Sequence, residues 1–162
     1  MSAPINVTAG TQVILTLANT EALAVPGISN GMVIPLMQDI TVNASPGIVR
    51  YSTLDSSSSA AFTTVNENSI SGNMLIDEET FFGLASAGGT NLTADTGLFN
   101  TSKNKTETFF TVAFEGTTST DYYLKGKGFI GGIAASASID QAVWLSPLEI
   151  TVNGELTPVK LS

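Results

Sequence analysis

The chain has no cysteine and no histidine, and its single arginine is Arg50. Without cysteine there is no disulfide framework, no thiolate nucleophile and no thiolate metal site. Without histidine, Ser-His-Asp and Cys-His catalysis, imidazole metal sites and the commonest general base are all excluded. Charge is scarce as well. Only 12% of the 162 residues are charged, with 6 Lys and Arg against 14 Asp and Glu, for a formal net charge of −8. The lysines fall as two doublets, Lys103/Lys105 and Lys125/Lys127, plus Lys160, which makes no basic stripe for reading nucleic acid. No apolar run approaches the ~20 residues of a membrane span. The opening Met-Ser-Ala-Pro-Ile-Asn has neither the basic nor the apolar region of a signal peptide. These features predict a protein made and kept in a reducing cytosol before assembly, with no membrane partner.

Chemistry that needs only carboxylates is the one catalytic class left open. The close acidic pair on an element is Glu78/Glu79, and helix capping explains it better than acid–base work. Asp55 and Asp140 have no oxygen-rich spacing for calcium. Gly126-Lys127-Gly128 lacks the spacing of a phosphate loop. The chain therefore reads as a non-enzyme that uses no cofactor and no metal.

What is present is apolar and hydroxylated. Hydrophobic residues make up 43% of the chain, enough for one domain over 1–162 with a sizeable core. So low a charge content fits a surface of Ser, Thr, Asn and Gly that is partly covered by other chains. Residues 1–10, with Pro4 and Gly10, read as an arm. Strands are expected at 11–17, 21–28 (broken by Pro26-Gly27), 31–42 (interrupted at Pro35) and 47–53, where Ile48 and Arg50 oppose Val49 and Tyr51. Residues 54–68, LDSSSSAAFTTVNEN, read as a long polar loop with Phe62 at its centre, and loops of that length are often functional. A strand follows at 69–76. Asp77 is placed to cap a helix of about three turns, with Phe81, Leu84 and Ala85 on one face and Gly88-Gly89 at its end. Residues 90–105 read as a second polar loop. In 107–115, Phe110, Val112 and Phe114 share the core face of a strand, and 121–127 is the next strand.

The most patterned stretch is 126–159. Ile133, Ala135, Ala137 and Ile139 alternate with Ala134, Ser136, Ser138 and Asp140, giving one thin apolar face expected to pack tightly and one small, hydroxylated and acidic face. After a turn near Asp140-Gln141-Ala142, Leu148, Ile150 and Val152 alternate with Glu149, Thr151 and Asn153, and Asn153-Gly154 is a turn signal. Trp144 is expected to pack near a sheet corner.

The order of these pieces resembles the tail tube (major tail) proteins of tailed bacteriophages. The resemblance rests on Tyr51-Ser52-Thr53-Leu54-Asp55, Ile70-Ser71-Gly72-Asn73 and Asp77-Glu78-Glu79. It extends to Gly128-Phe129-Ile130 running into Ala135–Asp140, and to Asn153-Gly154-Glu155-Leu156-Thr157. It implies a mainly β fold, a two-sheet β-sandwich or small barrel with one flanking helix and a long polar loop. Six copies would close a ring, and rings would stack into a hollow tube through which DNA leaves a capsid without specific binding. The loop, with Leu54, Asp55, Phe62 and Asn66, would reach an adjacent ring. Ala134, Ser136, Ser138 and Asp140 would face the lumen. The implied location is the virion tail, after synthesis in the host cytoplasm, and the implied partners are a terminator, a baseplate or tip and, in a contractile tail, a sheath. A secretion-system tube protein of the same fold, a carbohydrate-binding or adhesin β-sandwich and a capsid decoration module are the alternatives.

Overall fold

A computed structural model describes residues 13–21, 24, 32–34, 37–52, 54, 58–76, 78–83, 97–113, 122–138 and 140–160. The expected N-terminal arm, Asp55, Asp77, Phe114 and Ile139 lie outside them. Among the described residues the chain is mostly β, as expected. Its strands are β1 (Ile14–Ala18), β2 (Met32–Val33), β3 (Met37–Tyr51), β4 (Ala60–Leu75), β5 (Glu107–Ala113), β6 (Tyr122–Gly131), β7 (Ser136–Ser138), β8 (Gln141–Val152) and β9 (Thr157–Lys160). All pairings are antiparallel, and they join one sheet in the order β2-β1-β5-β6-β8-β4-β3. The remaining two strands are β7, paired with β8, and β9, paired with β6. The mainly β architecture is as expected; among the described residues the expected two-sheet sandwich or small barrel is hydrogen-bonded as one continuous antiparallel sheet that does not close into a barrel.

The core follows from period-2 patterning. Leu15 and Leu17 pair with Val112 and Phe110 across β1 and β5, and all four are fully buried. Ile70 on β4 pairs with Ile150 on β8, which pairs with Ile130 on β6. These residues, with Leu148, Met74, Ile34, Phe81 and Leu98, form one cluster. Each fully buried Leu, Ile or Phe contributes about 1.5–3 kcal/mol relative to exposure. Pro147 has no N–H to donate, and it falls where β8's second edge is unpaired. There β6 reaches only as far as Glu149, and β7 begins at Leu145.

Three elements differ from expectation. The helix after β4 is a single turn, α1 (Glu78–Phe82), and Gly83 follows it with φ +85°, a left-handed conformation that ends a helix. Leu84, Ala85 and Gly88-Gly89, placed on that helix by periodicity, lie outside the described residues. A second helix, α2 (Leu98–Lys103), occupies part of the expected second loop and buries Leu98 and Thr101. Gly97, just before it, presses on Gly83 and on the Phe82 carbonyl carbon so closely that a side chain there would collide with backbone.

The third difference matters most for function. Residues 60–68 are strand, not loop, and they belong to the sixteen-residue β4. β3 likewise runs unbroken for fifteen residues through Pro46, absorbing it at a bulge between Ser45 and Gly47. The two strands pair from Met37↔Met74 to Tyr51↔Ala60. The pairing with β8 stops at Ser69↔Thr151, so the far part of the hairpin is a two-stranded arm projecting beyond the sheet.

Candidate functional site

The arm carries three of the four residues expected to meet another subunit. Phe62 lies opposite Val49, and its ring centroid is 6.0 Å from that of Tyr51. Phe62 is 51% and Tyr51 52% exposed, so among the described residues the pair makes an apolar surface that nothing covers. Leu54 is fully exposed at the tip, and Asn66 is exposed beside the bulge. Ile48, Val49 and Val65 add apolar area, and Arg50 is also exposed. The hairpin backbone fixes these side chains, which a disordered loop would not.

The residues expected to face a lumen sit differently from the reading of alternation. Chain 132–135 is irregular, starting at Gly132 with φ +66°, and only Ser136–Ser138 is strand. Ala134, Ser136, Ser138 and Asp140 are exposed, but so are Ala135 and Ala137. The expected tightly packed face at Ala135 and Ala137 is therefore absent. From Ala134 to Ser138 both sides of the segment meet solvent, while Ile133 packs partly against the core, so alternation here does not distinguish a wall from a core. Hydrogen bonds hold it to β8: Ala134 N–H donates to Ser146 Oγ at 3.2 Å, and Ser136 Oγ donates to the Leu145 carbonyl at 3.4 Å.

A polar wall does exist, on other strands. Residues paired in register share a sheet face. Opposite the core face, Asp39, Thr41, Asn43 and Ser45 on β3 align with Asn73, Ser71, Ser69 and Glu67 on β4. Pro147, Glu149 and Thr151 on β8 continue the same rows. These eleven residues include three carboxylates, no cation and no aromatic ring; beyond them the same face continues on β6 with the exposed Phe129, opposite Thr151, and with Lys127. Its side chains are tied down. Asp39 Oδ1 accepts from the Asn73 backbone N–H at 2.7 Å, Asp39 Oδ2 accepts from Asn73 Nδ2 at 2.9 Å, and Asn43 Nδ2 donates to Ser69 Oγ at 3.4 Å. The sequence shows each strand's alternation, but only the register brings the three polar edges together.

A third surface was not anticipated. Ile76, Glu78, Phe81, Phe82, Ala135 and Trp144 line an open, mainly apolar cleft of about 290 Å³. Ile76 N–H donates to the Trp144 carbonyl at 2.9 Å, which brings α1 alongside β8. Phe81 is buried and meets Phe82 edge-on, with centroids 5.0 Å apart. Trp144, expected to be packed, is 58% exposed, and Phe82 is 54% exposed.

The lysine doublet on β6 does not make an anion site. Lys125 Nζ is 2.7 Å from Glu21 Oε1, and Lys127 Nζ is 3.5 Å from Glu107 Oε1, which also accepts from Asn153 Nδ2 at 2.6 Å. The hydrogen bond and charge of Lys125 hold the Glu21 carboxyl below its usual range, and Glu21 raises Lys125 in turn. Each lysine thus faces a carboxylate, and no group of three or more acids able to hold a metal occurs among the described residues.

No protein-family model matches the sequence, and no curated protein matches it. Solved structures do match the fold. The SPP1 tail tube aligns with 94% of this chain and 78% of its own, with TM-score 0.65 and 12% identity. The tail of an empty gene transfer agent particle, refined with C6 symmetry, aligns over 94% of this chain and 99% of its own, with TM-score 0.62 and 15% identity. A chain of the native gene transfer agent virion gives TM-score 0.57 at 14% identity, over 90% of this chain and 95% of its own. At such identities the likeness establishes the fold, and that fold is the one found in tail tubes.

Proposed function

We propose that this chain is a structural subunit of a phage-type virion tail, and that six copies close rings which stack into a hollow tube conducting DNA. The observation that carries the reading is the cation-free polar face of β3, β4 and β8 on a sheet whose other face is core. A conduit for DNA must avoid holding what passes through it. Asp39, Glu67 and Glu149 repel phosphate, and the eleven positions on β3, β4 and β8 offer neither a cation to displace counterions nor a ring to stack a base, while Lys127, on the same face of β6, is turned to Glu107. In this reading that face lines the lumen, in place of Ala134, Ser136, Ser138 and Asp140. The arm with Leu54, Tyr51 and Phe62 then supplies contacts between rings, and a stacked assembly covers the apolar area that it leaves exposed.

The tube would end on a terminator and a baseplate or tip, and a contractile tail would add a sheath. A secretion-system tube would use the same geometry. A glycan-binding module is favoured only by the exposed Trp144, and its cleft has a single polar side chain, Glu78, to fix sugar hydroxyls. The test is negative-stain electron microscopy of the concentrated protein, seeded with preformed tail tips. Six-fold rings or hollow tubes are expected. A chain that stays monomeric with seeds present would overturn the reading.

A further inference from the structure

Lys127 on β6 and Asn153, the residue after β8, stand opposite one another. The pairing of Gly128 with Val152 continues one step further, and the Asn153 backbone N–H donates to the Lys127 carbonyl at 2.7 Å. Glu107 on β5 pairs with Phe129, so it lies on the same sheet face as Lys127, on the diagonal. One oxygen of Glu107 meets both of the other side chains. Oε1 accepts from Asn153 Nδ2 at 2.6 Å and lies 3.5 Å from Lys127 Nζ. That shared oxygen holds the amine and carboxamide nitrogens within about 6 Å of each other. Directly opposed β-carbons are about 4.5–5.5 Å apart, a gap that a lysine side chain spans. Phe109, opposite Lys127, and Phe129, opposite Glu107, flank the trio. Lys127, Asn153 and Phe109 also line a cavity of about 270 Å³. The cavity's other charged groups are Lys125, paired with Glu21 at 2.7 Å, and Glu155.

We propose that Lys127 and Asn153 join in an intramolecular isopeptide bond, which the chain forms by itself with Glu107 as the proton carrier. An amine attacks only as its free base, and the Glu107 carboxylate is placed to take a proton from Nζ. The Nζ lone pair then attacks Asn153 Cγ, the Nζ–Cγ bond forms and the Cγ–Nδ2 bond breaks. Two protons pass in all from Nζ to Nδ2 by way of Glu107, and the carboxamide nitrogen leaves as ammonium. Glu107 touches both the nitrogen that loses protons and the nitrogen that gains them, and it ends unchanged. The register supplies the proximity that such a condensation needs. The product ties β6 to the end of β8. A disulfide does comparable work by restricting the unfolded chain, but this chain has no cysteine, and an amide forms without an oxidant. The reaction needs only one chain, so it stands or falls apart from tube assembly.

The experiment is mass spectrometry of the purified full chain, intact and after trypsin, before and after a week at mildly alkaline pH. Ammonia is also lost when Asn153-Gly154 closes to a succinimide, so the tryptic map decides between the two. An amide on Lys127 blocks trypsin there. It leaves 126–160 as one peptide, lighter by one ammonia, with no backbone fragments from between residues 127 and 153. The wild type is expected to yield this peptide, and Lys127→Arg and Asn153→Ala are not. Glu107→Gln keeps the shape of the side chain and loses its base, so the bond should form about a hundredfold more slowly or less. The cross-linked wild type should also unfold at a higher temperature than Lys127→Arg, which keeps the ion pair. Complete cleavage at Lys127 with unchanged mass would reduce the trio to an ion pair and a hydrogen bond. Ammonia loss that persists in Lys127→Arg would assign it to the succinimide and overturn the cross-link. A bond that forms as fast in Glu107→Gln would overturn the role given to Glu107.

Discussion

Gly126 on β6 stands directly opposite Phe110 on β5, and a β-carbon built on Gly126 would lie 2.7 Å from the Cζ of that ring. Phe110 is fully buried, so its ring has little room to retreat. The glycine is thus required by packing, and the Lys-Gly-Lys-Gly run around it is a sheet device with no part in binding phosphate. Gly126→Ala is expected to cost about 1–3 kcal/mol, the usual range for overpacking a filled core. Urea denaturation would measure it as a lower midpoint at unchanged slope. Adding Phe110→Leu should recover part of the loss, because the smaller side chain vacates the space. An additive double variant would refute the steric account.

The arm separates stability from assembly. Tyr51 and Phe62 touch each other and are half exposed, so Tyr51→Ala with Phe62→Ala removes one ring pair and little buried area. The expected stability loss is no more than about 1.5 kcal/mol. Tube growth should be abolished or pushed to much higher concentration, as read by sedimentation. A variant that assembles like the wild type would remove the arm from the contacts between subunits.

Ala135 tests how alternation should be read in this chain. Its pattern with Ile133 and Ala137 reads as a tightly packed face, which would make a bulky replacement ruinous. In the structure Ala135 is exposed at the cleft rim, so Ala135→Leu should change folding stability by no more than about 0.5 kcal/mol. Thermal unfolding of the monomer would measure this directly. A loss of several kcal/mol would mean that the segment packs inward after all.

These cases show where sequence patterning carries structural information and where it does not. Leu148 and Ile150, and Phe110 and Val112, are legible because one side of their strands meets the core and the other side is of a different character. The arm is illegible for the converse reason. Residues 60–67 meet solvent on both faces, so no alternation is imposed, and a run of Ala, Thr and Asn reads as loop although cross-strand hydrogen bonds hold it extended. Alternation in 134–138 misleads in the opposite direction, since beyond Ile133, which packs partly against the core, the small residues alternate in solvent. The single-turn α1 was overextended because Phe81 continues in helical spacing to Leu84 and Ala85, while Gly83 between them has φ +85°. The polar wall needed the register. Thr41, Ser71 and Glu149 are far apart in sequence and become one row only when β3, β4 and β8 pair.

The wall gives the most direct test of how DNA would pass. Glu67 and Glu149 are exposed, and neither has an ion-pair partner among the described residues, so reversing both charges should leave the fold and the tube intact. If their face lines the lumen, Glu67→Lys with Glu149→Lys turns two repulsive positions per subunit into two attractive ones. Assembled tubes of this variant, incubated with short duplex DNA at low salt, should retain a nuclease-resistant fraction that tubes of the wild type do not. Raising the salt should release it steeply, because each neutralised phosphate adds roughly 0.9 to the slope of log affinity against log salt. Asp140→Lys tubes are the control: Asp140 lies on the β7–β8 turn, away from these rows, and should retain no protected DNA. The reverse pattern, with protection by Asp140→Lys and none by the double variant, would move the lumen to the 134–140 segment. Nuclease protection is the deciding measurement, because DNA held on the outer surface would sediment with the tubes but would still be cut.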